Sequence, residues 1–187
     1  MFENAWPWAL VVSLVSSLLV SLRTQVTAKP VTIRLVALVT GSVIGRGLVF
    51  FVLICAPLFR QPRLETGLLL PVLGSVIGIL GAILVFVATR ELSRTSFSGT
   101  RGIPARVVTT GPYRFVRHPA TIGFIAMYTG WCLAWEALYA TFSVPALALI
   151  LVLETFWEER NLIRELGQEY LDFQQKVGMF FPGRRQV

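Results

Sequence analysis

Charge is what this chain has least of. Of its 187 residues only 14% are Asp, Glu, Lys or Arg, against about 25% in soluble domains. Together with a 55% hydrophobic composition and a mean hydropathy of +0.68, this excludes a water-soluble globule and predicts an integral membrane protein. Metal-binding side chains are also scarce. One histidine and two cysteines cannot build a Cys/His cluster for a transition metal. Cys55 and Cys132 both fall in apolar runs and read as small buried hydrophobes rather than a disulfide or metal pair. No Gly-x-Gly-x-x-Gly follows a strand, and no Gly-Lys-Ser/Thr phosphate loop exists. A soluble nucleotide-binding fold is thereby excluded. Gly-x-Ser-x-Gly and His-Glu-x-x-His are absent too, and with them the nucleophile and zinc chemistry they carry. The first apolar run, Ala5–Leu22, has no cleavage-site pattern and no basic segment before it, so it reads as a retained helix rather than a signal peptide.

What is there is a series of apolar runs, at about 5–22, 35–58, 68–88, 119–139 and 141–157. Each is about the length that crosses a ~30 Å hydrocarbon core, the last being the shortest. The predicted fold is therefore an all-α polytopic membrane protein with five transmembrane helices in a single membrane domain, 1–187. Residues 1–88 hold the first three helices, and the last two form a tight hairpin around Glu136–Pro145. The net charge of +7 is a matter of topology. Arg23, Lys29 and Arg34 lie at the first connection, six arginines from Arg90 to Arg117 at the third, and Arg160, Arg164, Lys176, Arg184 and Arg185 in the tail. Only Arg60 and Arg63 face the other side. The positive-inside rule then places the N-terminus outside and the C-terminus in the cytoplasm. The basic excess serves topology and attraction to the lipid surface, not nucleic acid.

Thr89–Val116 is the one long polar segment before the tail, and Gly99, Gly102 and Pro104 make it irregular. Beyond Trp157, Leu162, Leu166, Tyr170, Phe173 and Val177 recur every three or four residues. They predict an amphipathic, cytoplasmic C-terminal helix that folds back on the protein or the interface, closed by Pro182. Gly-Ser-Val-Ile-Gly occurs twice, at 41–45 and 74–78. This small-xxx-small spacing suits close packing of the second and third spans, the alternative being a homodimer contact.

The chemistry-bearing residues gather at the cytoplasmic edge. Arg117 and the sole histidine, His118, stand just before Pro119, where polar loop gives way to apolar helix, with Gly111-Pro112-Tyr113 upstream. Glu154, Glu158 and Glu159 lie where the fifth run ends, and Glu154 and Glu158, four apart, share a helix face. Ionisable groups this close to hydrocarbon line a cavity or pair with a partner. The bland alternative for Glu158 and Glu159 is pairing with Arg160 or Arg164. Arg46, between Gly45 and Gly47, is the lone cation deep in a span. It snorkels, pairs with Glu154, or binds an anionic substrate group.

These patterns carry a resemblance. Gly111-Pro112-Tyr113 with Arg117-His118-Pro119 and Gly123 resembles the signature of the isoprenylcysteine carboxyl methyltransferase and phospholipid methyltransferase group of membrane enzymes. So does Glu158-Glu159-x-x-Leu162 followed by Leu166-Gly167-x-x-Tyr170-x-x-Phe173-x-x-x-Val177 and Pro182. The match covers roughly 105–182 and implies a catalytic region at 89–187. It implies S-adenosylmethionine as cofactor and a lipophilic acceptor, a carboxylate, thiol or amine, reaching the methyl group from the bilayer. Carried over, Tyr113, Arg117, His118, Pro119 and Gly123 form one wall of the cofactor site, and Glu158 and Glu159 the other. Either glutamate suits the cofactor's sulfonium and ammonium, and Arg117 its carboxylate. Arg117, His118, Glu158 and Glu159 are the expected catalytic residues, with Arg46 and Glu154 toward the substrate.

Two positions depart from the group's pattern. Thr121 stands where a tyrosine is frequent, and Val177-Gly178 replaces a Val-Pro pair. Two other readings remain open. One is a membrane scaffold or transporter subunit that keeps an old pocket. The other is a sterol-reductase-like enzyme, for which the chain lacks room.

Overall fold

The computed structural model describes residues 55–58, 60–94, 97–98, 103–104 and 106–183. The first expected span, nearly all of the second, the first Gly-Ser-Val-Ile-Gly and Arg46 lie outside the described residues. Four helices carry the described chain: α1 Leu69–Ser93, α2 Pro119–Ala134, α3 Leu138–Leu166 and α4 Gln168–Lys176. Short 3-10 turns lie at Ala56–Leu58 and Gly111–Arg114. Among the described residues of Thr89–Val116 the strands are the two-residue β1 Phe97–Ser98 and β2 Ile103–Pro104, paired antiparallel. Among the described residues, α1 and α3 are long and apolar enough to cross a membrane, and α2 is a shorter apolar helix. Helix α1 shows why: Leu69, Val72, Val76, Ile79, Leu80 and Phe86 all stand exposed, an apolar surface of the kind that lipid covers.

The chain divides into two compact units, Met1–Gly74 with Trp131–Ile150, and Ser75–Gly130 with Leu151–Val187. In the first, the reversal between α2 and α3 takes only Trp135–Ala137, not the longer stretch expected to Pro145. The amide of Ala137 donates to the Cys132 carbonyl (3.0 Å) and that of Glu136 to Leu133 (2.9 Å). This is a helix-ending motif with its left-handed residue at Glu136, φ 51°. Glutamate in that region costs on the order of 1 kcal/mol. Its side chain offsets the strain by accepting from the amide (2.7 Å) and hydroxyl (2.6 Å) of Thr66. Thr66 in turn accepts from the Leu70 amide (3.3 Å), capping α1. Gln61 accepts from the amides of Tyr139 and Ala140 (3.0 and 3.1 Å) and caps α3 from far along the chain. Arg63 donates to the Trp135 carbonyl. Pro145 falls inside α3, where it leaves the Thr141 carbonyl without an intrahelical donor.

In the second unit α1 and α2 approach to backbone contact. A Cβ on Gly81 would lie 2.5 Å from the Met127 amide nitrogen and 2.7 Å from the Gly123 carbonyl, and one on Gly123 would meet Gly81 and Val85. Gly78, which ends the second Gly-Ser-Val-Ile-Gly, faces Gly130. Gly123 therefore serves helix packing, one of the two uses its size allows. Its motif partner Pro119 opens α2 and is fully buried.

The single amphipathic helix expected after Trp157 is two helices. Helix α3 runs on to Leu166, and Gly167 breaks it with φ 59° and ψ −130°, a region open essentially to glycine alone. Only Tyr170 and Phe173 of the expected stripe are buried, and Val177 is already extended.

Candidate functional site

The site lies wholly in the second unit and is built on the start of α2, the end of α3, and α4 with the segment after it. The approach to α2 is fixed first. Glu91, near the end of α1, accepts from the Thr110 hydroxyl (2.9 Å) and from Arg94 (2.8 Å), and the Val107 amide donates to Glu169 of α4 (3.1 Å). The 3-10 turn Gly111–Arg114 follows, then Val116, which bridges Gly178 in parallel. The Arg117 amide donates to the Gly178 carbonyl (2.9 Å) and the His118 amide to Met179 (3.2 Å). The Arg-His-Pro stretch is thus held as a strand-like edge by the tail. Gly178 has no room to be anything else, since a Cβ there would sit 2.0 Å from the Phe181 carbonyl oxygen.

Glu159 is the hub. It lies in α3 one turn beyond Thr155, and both are buried. Arg117 Nε donates to its Oε1 at 2.6 Å, His118 Nε2 lies 3.2 Å from the same oxygen, and the Tyr170 hydroxyl donates to it at 3.3 Å. Gln174 donates to Oε2 at 2.9 Å. Arg117 also donates through Nη1 to the carbonyls of Gln174 (3.2 Å) and Val177. A carboxylate ringed by four donors and facing a guanidinium is ionised, and the pair is nearly dry: the side chains are 10% and 11% exposed. Burial, then the Glu159 charge, pushes the Tyr170 hydroxyl well up from its usual range.

Glu158 is different. Its carboxylate is 62% exposed and 3.8 Å from Nδ1 of His118, whose own side chain is only 7% exposed. Tyr113 shares its surroundings: burial, then the Glu158 charge, pushes its hydroxyl up to about 12. Phe180 of the tail stands near the His118 ring, with centroids 6.2 Å apart and the planes tilted by 52°. One helical turn along α2, the Thr121 hydroxyl meets that of Thr155 at 3.3 Å.

The structure therefore brings Tyr113, Arg117, His118, Pro119, Glu158 and Glu159 together. It does not add Gly123, which is engaged with α1. Glu158 and Glu159 both lie against His118, Thr155 and Glu159 are the buried positions of α3 here, and any pairing of Glu154 with Arg46 lies outside the described residues. Sequence reasoning missed Thr155 and Gln174. Both stand four residues from a site residue, Glu159 and Tyr170, and that spacing was their signal.

Comparison with known proteins points the same way. A family model described as phospholipid methyltransferase matches residues 69–169, more than half of the chain. A methanethiol S-methyltransferase 1 of Bradyrhizobium diazoefficiens is 36% identical over 93 residues, covering 48% of this chain and 30% of that protein. A methanethiol S-methyltransferase of Mycobacterium tuberculosis is 38% identical over 71 residues, 37% of this chain and 28% of that protein. One from a Pseudomonas species is 34% identical over 76 residues, 40% and 28%. The aligned segments thus span about a third or less of the curated relatives they match.

Proposed function

Because this chain belongs to the phospholipid methyltransferase family, we propose that it transfers a methyl group from S-adenosylmethionine to a small lipophilic acceptor at the membrane, a thiol before an amine or carboxylate. The thiol preference rests on the activity for which the relatives are named, methanethiol S-methylation. The observation that carries the proposal is the division of labour between adjacent glutamates. Glu159 is spent on Arg117 and the tail, while Glu158 stands exposed beside His118 and Tyr113.

The residues present fit the cofactor. Glu158 offers a carboxylate to its sulfonium or ammonium. The Arg117 guanidinium suits the cofactor's carboxylate. When bound, the cofactor supplies an electrophilic methyl group. The protein's part is to position, since an in-line displacement gains most from orientation. The Arg117–Glu159 pair fixes the Arg-His-Pro edge against the tail.

The reading extends to five transmembrane helices with the N-terminus outside and the C-terminus cytoplasmic, and to a catalytic region at 89–187. The test is transfer of labelled methyl groups from S-adenosylmethionine to octanethiol, octylamine and octanoate by purified protein in lipid nanodiscs. Label in the thioether supports the proposal, and no transfer to any of the three defeats it.

A further inference from the structure

We infer that Nδ1 of His118 is the general base that takes the acceptor's proton, with Glu159 and Arg117 as positioning residues that fix the histidine tautomer. The inference rests on the methyltransferase reading with a thiol acceptor. Glu159 is held ionised by Arg117 at 2.6 Å, so it is an acceptor only, and the His118 nitrogen 3.2 Å away must donate to it. The ring hydrogen of the neutral imidazole then sits on Nε2. Nδ1 is left with a free lone pair, 3.8 Å from the Glu158 carboxylate. This is the logic by which a buried carboxylate orients a catalytic imidazole, here with an arginine behind the carboxylate.

The charged and titratable groups around the ring come from every element packed on it: Glu158 and Glu159 from α3, Arg117 from its own segment, Tyr170 from α4 through Glu159, and Tyr113 from the 3-10 turn through Glu158. The tail contributes Phe180, which carries no charge.

A neutral thiol needs such a base. Its S–H bond breaks with the proton passing to Nδ1. The sulfur lone pair forms the new C–S bond as the methyl–sulfonium bond breaks, and that bonding pair leaves on S-adenosylhomocysteine, a neutral thioether. The imidazolium proton then reaches water by way of Glu158, which is 62% exposed.

The sole histidine makes the test direct. Protein labelled with 15N-histidine, in nanodiscs without cofactor, should give one non-protonated ring nitrogen, Nδ1, and one N–H, Nε2, at neutral pH. A hydrogen on Nδ1 overturns the inference without touching the methyltransferase reading. In kinetics at saturating S-adenosylmethionine, His118→Gln should lose about 100-fold or more of octanethiol methylation, the usual range for a general base. The deficit should shrink at least tenfold for thiophenol, which is already largely thiolate. Equal losses with both thiols overturn the base assignment. No thiol methylation by the unmodified protein would instead defeat the reading on which it rests.

Discussion

Removing the Glu159 carboxylate should do more damage than its place at the end of an apolar helix suggests. In Glu159→Ala, Arg117, His118, Tyr170 and Gln174 all lose an acceptor, and the guanidinium stays 11% exposed without its counter-charge. Breaking one side of a buried ion pair costs about 3–5 kcal/mol. Two backbone carbonyls, of Gln174 and Val177, still accept from Arg117, so the lower end, about 3 kcal/mol, applies. Glu159→Gln keeps an acceptor oxygen and should cost only about 1–3 kcal/mol. The decisive variant is the double one. Arg117→Met with Glu159→Ala removes both charges, and its cost should fall short of the sum of the single costs by about 0.5–3 kcal/mol. Denaturant unfolding of purified protein in mixed micelles gives the energies, and hydrogen exchange over 168–179 reports whether α4 and the tail have come away. A Glu159→Ala protein within about 0.5 kcal/mol of the unmodified one, or strictly additive single costs, would refute the hub role of Glu159.

Other outcomes follow from the same geometry. Gly178→Pro places the family's more usual residue here, but its Cβ meets the Phe181 carbonyl oxygen at 2.0 Å; the tail should become protease-sensitive and S-adenosylhomocysteine binding should fall at least tenfold. Gly81→Val pushes its side chain onto the Met127 and Gly123 backbone and should destabilise by about 1–3 kcal/mol, read as a lowered midpoint in the same unfolding assay. Tyr113 has a folded pKa of about 12 against 10.0 unfolded. Its contribution to stability is therefore intact below pH 10 and lost as pH rises from 10 toward 12. Alkaline absorbance titration should show it ionising later in the folded than in the denatured protein, and Tyr113→Phe should remove that late step.

Much of the site was legible because each part has a local signature. Arg117-His118-Pro119 marks the start of a helix after a loop, since Pro119 suits a first helical turn, and α2 begins there. The adjacent glutamates mark where α3 leaves the apolar region. What sequence does not encode is which neighbour a carboxylate chooses. Glu158 and Glu159 read alike, yet one is 62% exposed and the other, with Thr155 one turn before it, is buried. Helix ends were the weaker part. The stripe from Leu162 to Val177 predicted one helix, and a single glycine at 167 divides it, because a backbone conformation overrides side-chain periodicity. The gap between the last two apolar runs points to a turn around Glu136–Pro145, but a left-handed Glu136 bound by Thr66 reverses the chain sooner.

Calorimetric titration of the purified chain in lipid nanodiscs with S-adenosylhomocysteine tests the cofactor site most directly. One saturable site is predicted, weakened at least tenfold by Glu158→Lys, which reverses the exposed charge beside His118. No heat at millimolar ligand, or binding indifferent to Glu158→Lys, would contradict it.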